Sequence, residues 1–114
     1  MPPVSEWFSV ALDDLGFTLD VRPPGREAWS ERLLWADVNR VCLETEPGFE
    51  GSDRLYVFTR ARPESWVIPT EATGGSALVF ALCDRGLFKA ELVLEATSKG
   101  EGIFCWPPPD ATVD

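Results

Sequence analysis

Histidine is absent from the 114 residues. That removes Ser-His-Asp and Cys-His catalysis, histidine general bases and every histidine-containing metal site. Cysteine is scarce. Cys42, Cys83 and Cys105 lie far apart and form no C-x-x-C pair, which excludes a zinc knuckle and a thioredoxin-type motif. Each sits in an apolar run, where a free cysteine behaves as a small core residue, and three free thiols suit a reducing cytosol. Basic residues are outnumbered, 10 against 19 acidic, for a net charge of −9. Such a chain repels phosphate backbones and anionic lipid, so neither nucleic acid nor membrane is an expected partner, while a basic protein is favoured. The same charge also serves solubility. Long apolar runs are missing: "ALVFALC" is the longest, too short to span a bilayer. "MPPVSEWF" lacks the basic and apolar regions of a signal peptide, and a cytoplasmic location is expected.

The residues that are present describe one globular domain. Apolar residues make up 45% of the chain, and a chain of this length hides roughly 65% of its unfolded surface, enough for a core without a staple. Phe8, Val10 and Leu12 alternate with small residues, "DDLG" offers a turn, and Phe17, Leu19 and Val21 alternate with polar partners. Together they predict a hairpin, stopped by "RPPGRE". Leu33 to Trp35 predicts a short strand, "ADVN" a bend shaped by the Asp37 and Asn39 side chains, and Val41 to Thr45 a further strand. "RLYVFTR" and "SWVIP" add two more strands around an "ARPE" turn. Helix signals follow: Thr73 or Ser76 as an N-cap, an apolar face of Leu78, Val79, Leu82 and Cys83, and Gly86 as a stop predict a helix near 76–85. The stretch 87–98 alternates like a strand but is rich in helix formers, which favours a second short helix. "IFCW" closes the domain at residue 106, and residues 107–114 form a proline-rich tail.

The hairpin, "LLWADVNRVCLET", "DRLYVF" and "SWVIPTEA" before a helix resemble small bacterial pleckstrin-homology-like domains, with Trp35, Asp37, Val38, Ile68 and Pro69 at the matching positions. The resemblance covers about Phe8 to Trp106. It implies an α+β fold: a strongly bent antiparallel sheet or partial barrel of six or seven strands, with one or two helices in the C-terminal half. It implies little about activity. The acidic hairpin "LDDLGF" departs from the basic hairpin of lipid-binding members.

Candidate chemistry is sparse. Asp13 and Asp14 are best explained as turn residues, and Glu46, Glu50 and Asp53 do not match a calcium loop. "TGGS" lacks the pattern of a P-loop or dinucleotide site. Arg54, Arg60 and Arg62 flank one strand and could contact an anion, although neighbouring acids compete for them. The five tryptophans are many for the length. Trp35, Trp66 and Trp106 sit in apolar strands and are expected in the core. Trp7 and Trp29 sit at element edges and are the candidate interaction surface. No cofactor or metal is expected. The expected role is a non-catalytic module that binds a protein partner or itself; an immunity-type inhibitor of a basic toxin is the alternative, and a small-molecule or enzymatic domain comes last. Trp35 is expected to be buried, and the Asp37 side chain to bond nearby backbone.

Overall fold

A computed structural model of the chain describes residues 2–46 and 53–108. Seven strands and two helices follow in order: β1 (Phe8–Leu12), β2 (Gly16–Val21), β3 (Trp29–Leu34), β4 (Val38–Thr45), β5 (Arg54–Thr59), β6 (Arg62–Pro69), α1 (Gly75–Asp84), α2 (Ala90–Lys99) and β7 (Gly102–Trp106). The fold is α+β, with both helices in the C-terminal half. β1-β2-β3 form one antiparallel sheet and β6-β5-β4-β7 a second. The two sheets do not close into a barrel. The reason is a limit on edges: β4 pairs with β5 on one side and with β7 on the other, so neither edge of β4 is left for β3. The chain therefore leaves β3 through a single 3-10 turn, Trp35–Asp37, and begins the second sheet.

The core lies between the sheets and helices. Phe17, Leu19, Leu55, Val57, Ile68, Leu78, Leu82 and Phe88 are almost wholly buried. Apart from Phe88, which lies in the α1–α2 connection, these positions follow the alternation of their strands and the apolar face of α1, which is why the sequence periodicity located most elements. β6 begins at Arg62 with Pro63 inside it, where a turn was expected. Proline is tolerated there because β6 is an edge strand.

The corner at Trp35 behaves as expected in one respect and differently in another. Trp35 is 7% exposed. Its indole Nε1 donates to the Asp13 carbonyl at 3.0 Å, its backbone amide donates to the Leu15 carbonyl at 3.0 Å, and its ring lies 5.1 Å from Phe17. The Asp37 side chain makes no hydrogen bond among the described residues; the Asp37 carbonyl accepts from the Arg60 amide. The turn-shaping carboxylate is Asp13. Its Oδ1 accepts from the Leu15 and Gly16 amides, and its two oxygens hold Arg32 at 2.8 Å each. The Arg32 guanidinium, then the Leu15 amide, keep the Asp13 carboxyl far below the usual carboxylate range.

Two further expectations are corrected. No side chain caps α1. Its N-cap is Gly74, at φ +83°, where a Cβ would meet the Val10 carbonyl at 2.2 Å. Thr73 instead extends the first sheet: its backbone exchanges bonds with Phe8 and Val10 of β1, and its hydroxyl donates to the Ser5 carbonyl at 2.8 Å. Close backbone approach to β1 outranks a conventional cap at this point. Cys42 and Cys105 are also not free. They face each other across β4 and β7, with Cα atoms 4.0 Å apart, and are joined by a disulfide; only Cys83 remains a thiol. Local spacing carries no sign of this, because the two partners are 63 positions apart. The pairing removes the argument for a reducing compartment that rested on three free thiols. Among the described residues, no helix is long and apolar enough to cross a membrane.

Three measurements check this account. Trp35→Phe leaves the Asp13 carbonyl without its indole donor, and urea unfolding should show a loss of about 1–3 kcal/mol. Reduction of Cys42–Cys105 should lower stability by about 2–4 kcal/mol, read from urea melts with and without dithiothreitol. Asp13 has a lowered folded-state pKa, so its contribution is present above its ordinary value of 3.8 and is lost as pH falls through the folded value. The stability gap between the parent chain and Asp13→Asn should therefore be widest at neutral pH and should narrow toward about pH 2.

Candidate functional site

β1 and β3 both run antiparallel to β2, so they start at the same end of the first sheet. Trp7 immediately precedes β1, and Trp29 is the first residue of β3. The register Phe8↔Val21↔Trp29 puts Phe8 and Trp29 on one face at that end, with Trp7 next to Phe8 in the chain. The Phe8 ring lies 6.0 Å from Trp7 and 6.4 Å from Trp29. The β2–β3 connection supplies the remaining wall. Trp7, Pro23, Pro24, Arg26, Glu27 and Trp29 line a surface cleft of about 550 Å³. "RPPGRE", which in the sequence only ended a strand, is thus half of the site. Pro23 and Pro24 begin a tight turn, closed by the Arg26 amide donating to the Pro23 carbonyl at 3.2 Å with Gly25 at φ +73°, and prolines limit the conformational freedom of that wall.

Trp29 is 41% exposed although it packs on two aromatics. Its ring rests 5.9 Å from Trp66 of β6, and Arg62 sits 3.5 Å over the far ring of that pair. A run of side chains, Trp7, Phe8, Trp29, Trp66 and Arg62, therefore crosses from the first sheet to the second. β3 has no strand on its outer side, and its Ser30, Glu31 and Arg32 are exposed. A smaller recess of about 180 Å³ lies behind Trp7, lined by Ser5, Glu6, Ser9, Asp20 and Arg22. Arg22 is held there by Asp20 at 3.3 Å.

The structure brings the candidate tryptophans together and separates the candidate arginines. Arg54 opens β5 and pairs with Glu44, at 3.2 Å, and with Glu46. Arg60 and Arg62 lie at the other end of the β5–β6 hairpin. Arg62 stacks on Trp66 and donates to the Glu64 and Ser65 carbonyls. Three arginines on one strand and its turn therefore form no joint anion site.

Among the other candidates, Asp13 is a turn residue, as described above. Glu46 is taken by Arg54, and Glu50 lies outside the described residues. No group of three or more cysteine, aspartate or glutamate side chains among the described residues is placed to hold a metal ion. A second cleft, about 450 Å³, lies between β4 and the helices and is walled by Leu43, Val79, Phe80 and Val93 with several hydroxyl groups. Its rim ends at Glu46 and Asp53, where the described residues stop.

No protein-family model, curated protein or solved structure matches this chain.

Solvent access at the first cleft can be read by fluorescence. Trp29→Phe should remove a large part of the acrylamide-quenchable emission, whereas Trp35→Phe should remove almost none, because Trp35 is 7% exposed and Trp29 41%.

Proposed function

We propose that the chain is a non-catalytic protein-binding module whose docking surface is the Trp7–Trp29 cleft. One observation carries the reading: two tryptophans 22 positions apart in sequence line one proline-walled cleft, and tryptophans in such settings dominate binding energy at protein interfaces. The open edge of β3 beside the cleft adds main-chain donors and acceptors that an extended partner segment can use. A pleckstrin-homology-like origin belongs to the same proposal. Two antiparallel sheets turned at one corner support it, while β7 returning beside β4 after both helices departs from a barrel closed by a terminal helix.

The partner in this reading is a different chain, not a second copy. Molecules of charge −9 repel one another. Twofold pairing of β3 with itself, centred on its middle, sets Glu31 against Glu31 or Arg32 against Arg32, and like charges directly opposite are destabilising. A basic toxin is one such partner. The inhibitor role then follows from an acidic surface that speeds encounter. A cytoplasmic site of action depends on the redox state of Cys42 and Cys105 in the native cell, which thiol alkylation and mass spectrometry read directly.

Light scattering on the eluting peak should return a monomer; a stable dimer would move the proposal to self-association. With a captured native partner, Trp29→Ala should weaken binding by about tenfold or more. Leu94→Ala, on the exposed face of α2, should leave it unchanged. Equal binding by both variants would place the docking surface elsewhere.

A further inference from the structure

The five tryptophans divide into two groups by what lies over their rings. Arg62 sits 3.5 Å from the Trp66 centroid, Arg85 4.5 Å from Trp35, and Lys89 4.5 Å from Trp106. All three lie within the roughly 6 Å over which a cation is attracted to an indole face. Trp7 and Trp29 have no cation over them among the described residues. They are also the two tryptophans that line the open cleft. The other three indoles each carry one of the chain's own cations, whereas these two pack on aromatic rings.

The charges around the cleft bear on what would complete it. Arg26 and Glu27 line it, Glu31 follows two residues after Trp29 on the same strand face, and Glu6 lies behind Trp7. Arg22 and Arg32 are nearby but neutralised by Asp20 and Asp13. Among the described residues Glu6, Glu27 and Glu31 have no ion pair; the unpaired cations near them are Arg26, which lines the cleft, and Arg62, which is stacked on Trp66 beside Trp29. The whole chain carries −9. An apolar, proline-walled recess with two indoles that carry no cation and a surplus of carboxylates is complementary to a weakly hydrated cation. Arginine suits it better than lysine, because its planar guanidinium stacks on an aromatic face while its edge bonds carboxylates.

We infer that the Trp7–Trp29 cleft receives an arginine side chain from a basic segment of the partner protein, stacked against these indoles, with Glu27 and Glu31 accepting from the guanidinium. This rests on the cleft being the docking surface. Arg26, which also lines the cleft, then acts as a like charge that an incoming arginine must approach.

The test uses the full chain labelled with nitrogen-15, whose indole Nε1–H signals report each tryptophan separately. The probes are a soluble peptide, acetyl-Gly-Ser-Arg-Gly-Arg-Ser-Gly-amide, and the same peptide with citrulline at both arginines, which keeps the shape and removes the charge. The arginine peptide should shift the Trp7 and Trp29 signals and leave that of Trp35 in place. Its affinity should exceed that of the citrulline peptide by about fivefold or more. Arg26→Glu, at an exposed position that removes no packing, should tighten binding, and 0.5 M salt should weaken it because the attraction is screened, with a Debye length of about 4 Å at that strength. Equal response to citrulline would overturn the inference in favour of a neutral extended peptide. No shift at about 5 mM peptide, in the range where even weak sites of roughly millimolar Kd fill, would overturn it outright, as would weaker binding by Arg26→Glu. Failure here with a native partner still lost on Trp29→Ala removes the arginine and keeps the docking surface. Arginine binding with native capture indifferent to Trp29→Ala removes the docking surface as proposed.

Discussion

The placement of the two sheets depends on Trp35. The chain has one short turn, Trp35–Asp37, in which to leave the first sheet and begin the second. A flexible link there would leave the relative placement of the sheets to weak contacts. The indole removes that freedom because it is tied in three directions. Its amide and Nε1 bond the β1–β2 turn, its ring packs on Phe17 in the core, and Arg85 at the end of α1 covers it. Burying a large ring whose one polar atom is satisfied is favourable, whereas a buried indole without its bond is not. The turn it grips is itself held by Asp13 and Arg32, so hairpin, corner and helix end form one connected unit.

A second unit links the sheets at their far end. Trp29 at the start of β3 meets Trp66 of β6, and Phe8 packs edge-on against Trp29. Both β3 and β6 are edge strands. An exposed edge is a liability, and this chain manages the two differently. β6 carries Pro63, Glu64 and Pro69, which discourage pairing. β3 carries charges at its centre but no proline, and it opens beside the cleft. Of these two edges, the one without proline lies next to the cleft tryptophans.

Much of the fold was legible because burial imposes a period on residues that lie close in sequence. Phe17, Leu19 and Val21 marked β2, "RLYVFT" marked β5, and the Leu78–Leu82 spacing marked α1 without reference to any distant residue. Expectations failed where the deciding contact was remote. Asp37 and Asp13 have the same side chain beside comparable turns; Asp13 bonds the Leu15 and Gly16 amides of its own turn, and Arg32 on β3, across from Thr18 on β2, adds the remote contact that Asp37 lacks. Thr73 had the right chemistry for a cap, but β1 lay against it. Cys42 and Cys105 are paired because β7 returns to β4, and nothing local to either cysteine encodes that return.

The site shows the same division. Composition alone set the charge, excluded histidine chemistry and drew attention to Trp7 and Trp29 through their polar surroundings. Those are properties of residues and near neighbours, and folding does not change them. Only the tertiary structure decided that the two tryptophans share a cleft, that Pro23 and Pro24 wall it, and that Arg54 and Arg62 are engaged elsewhere. Strand register and edge pairing bring residues from different parts of the chain together, and those depend on the summed packing of the whole core, which no short window of sequence contains.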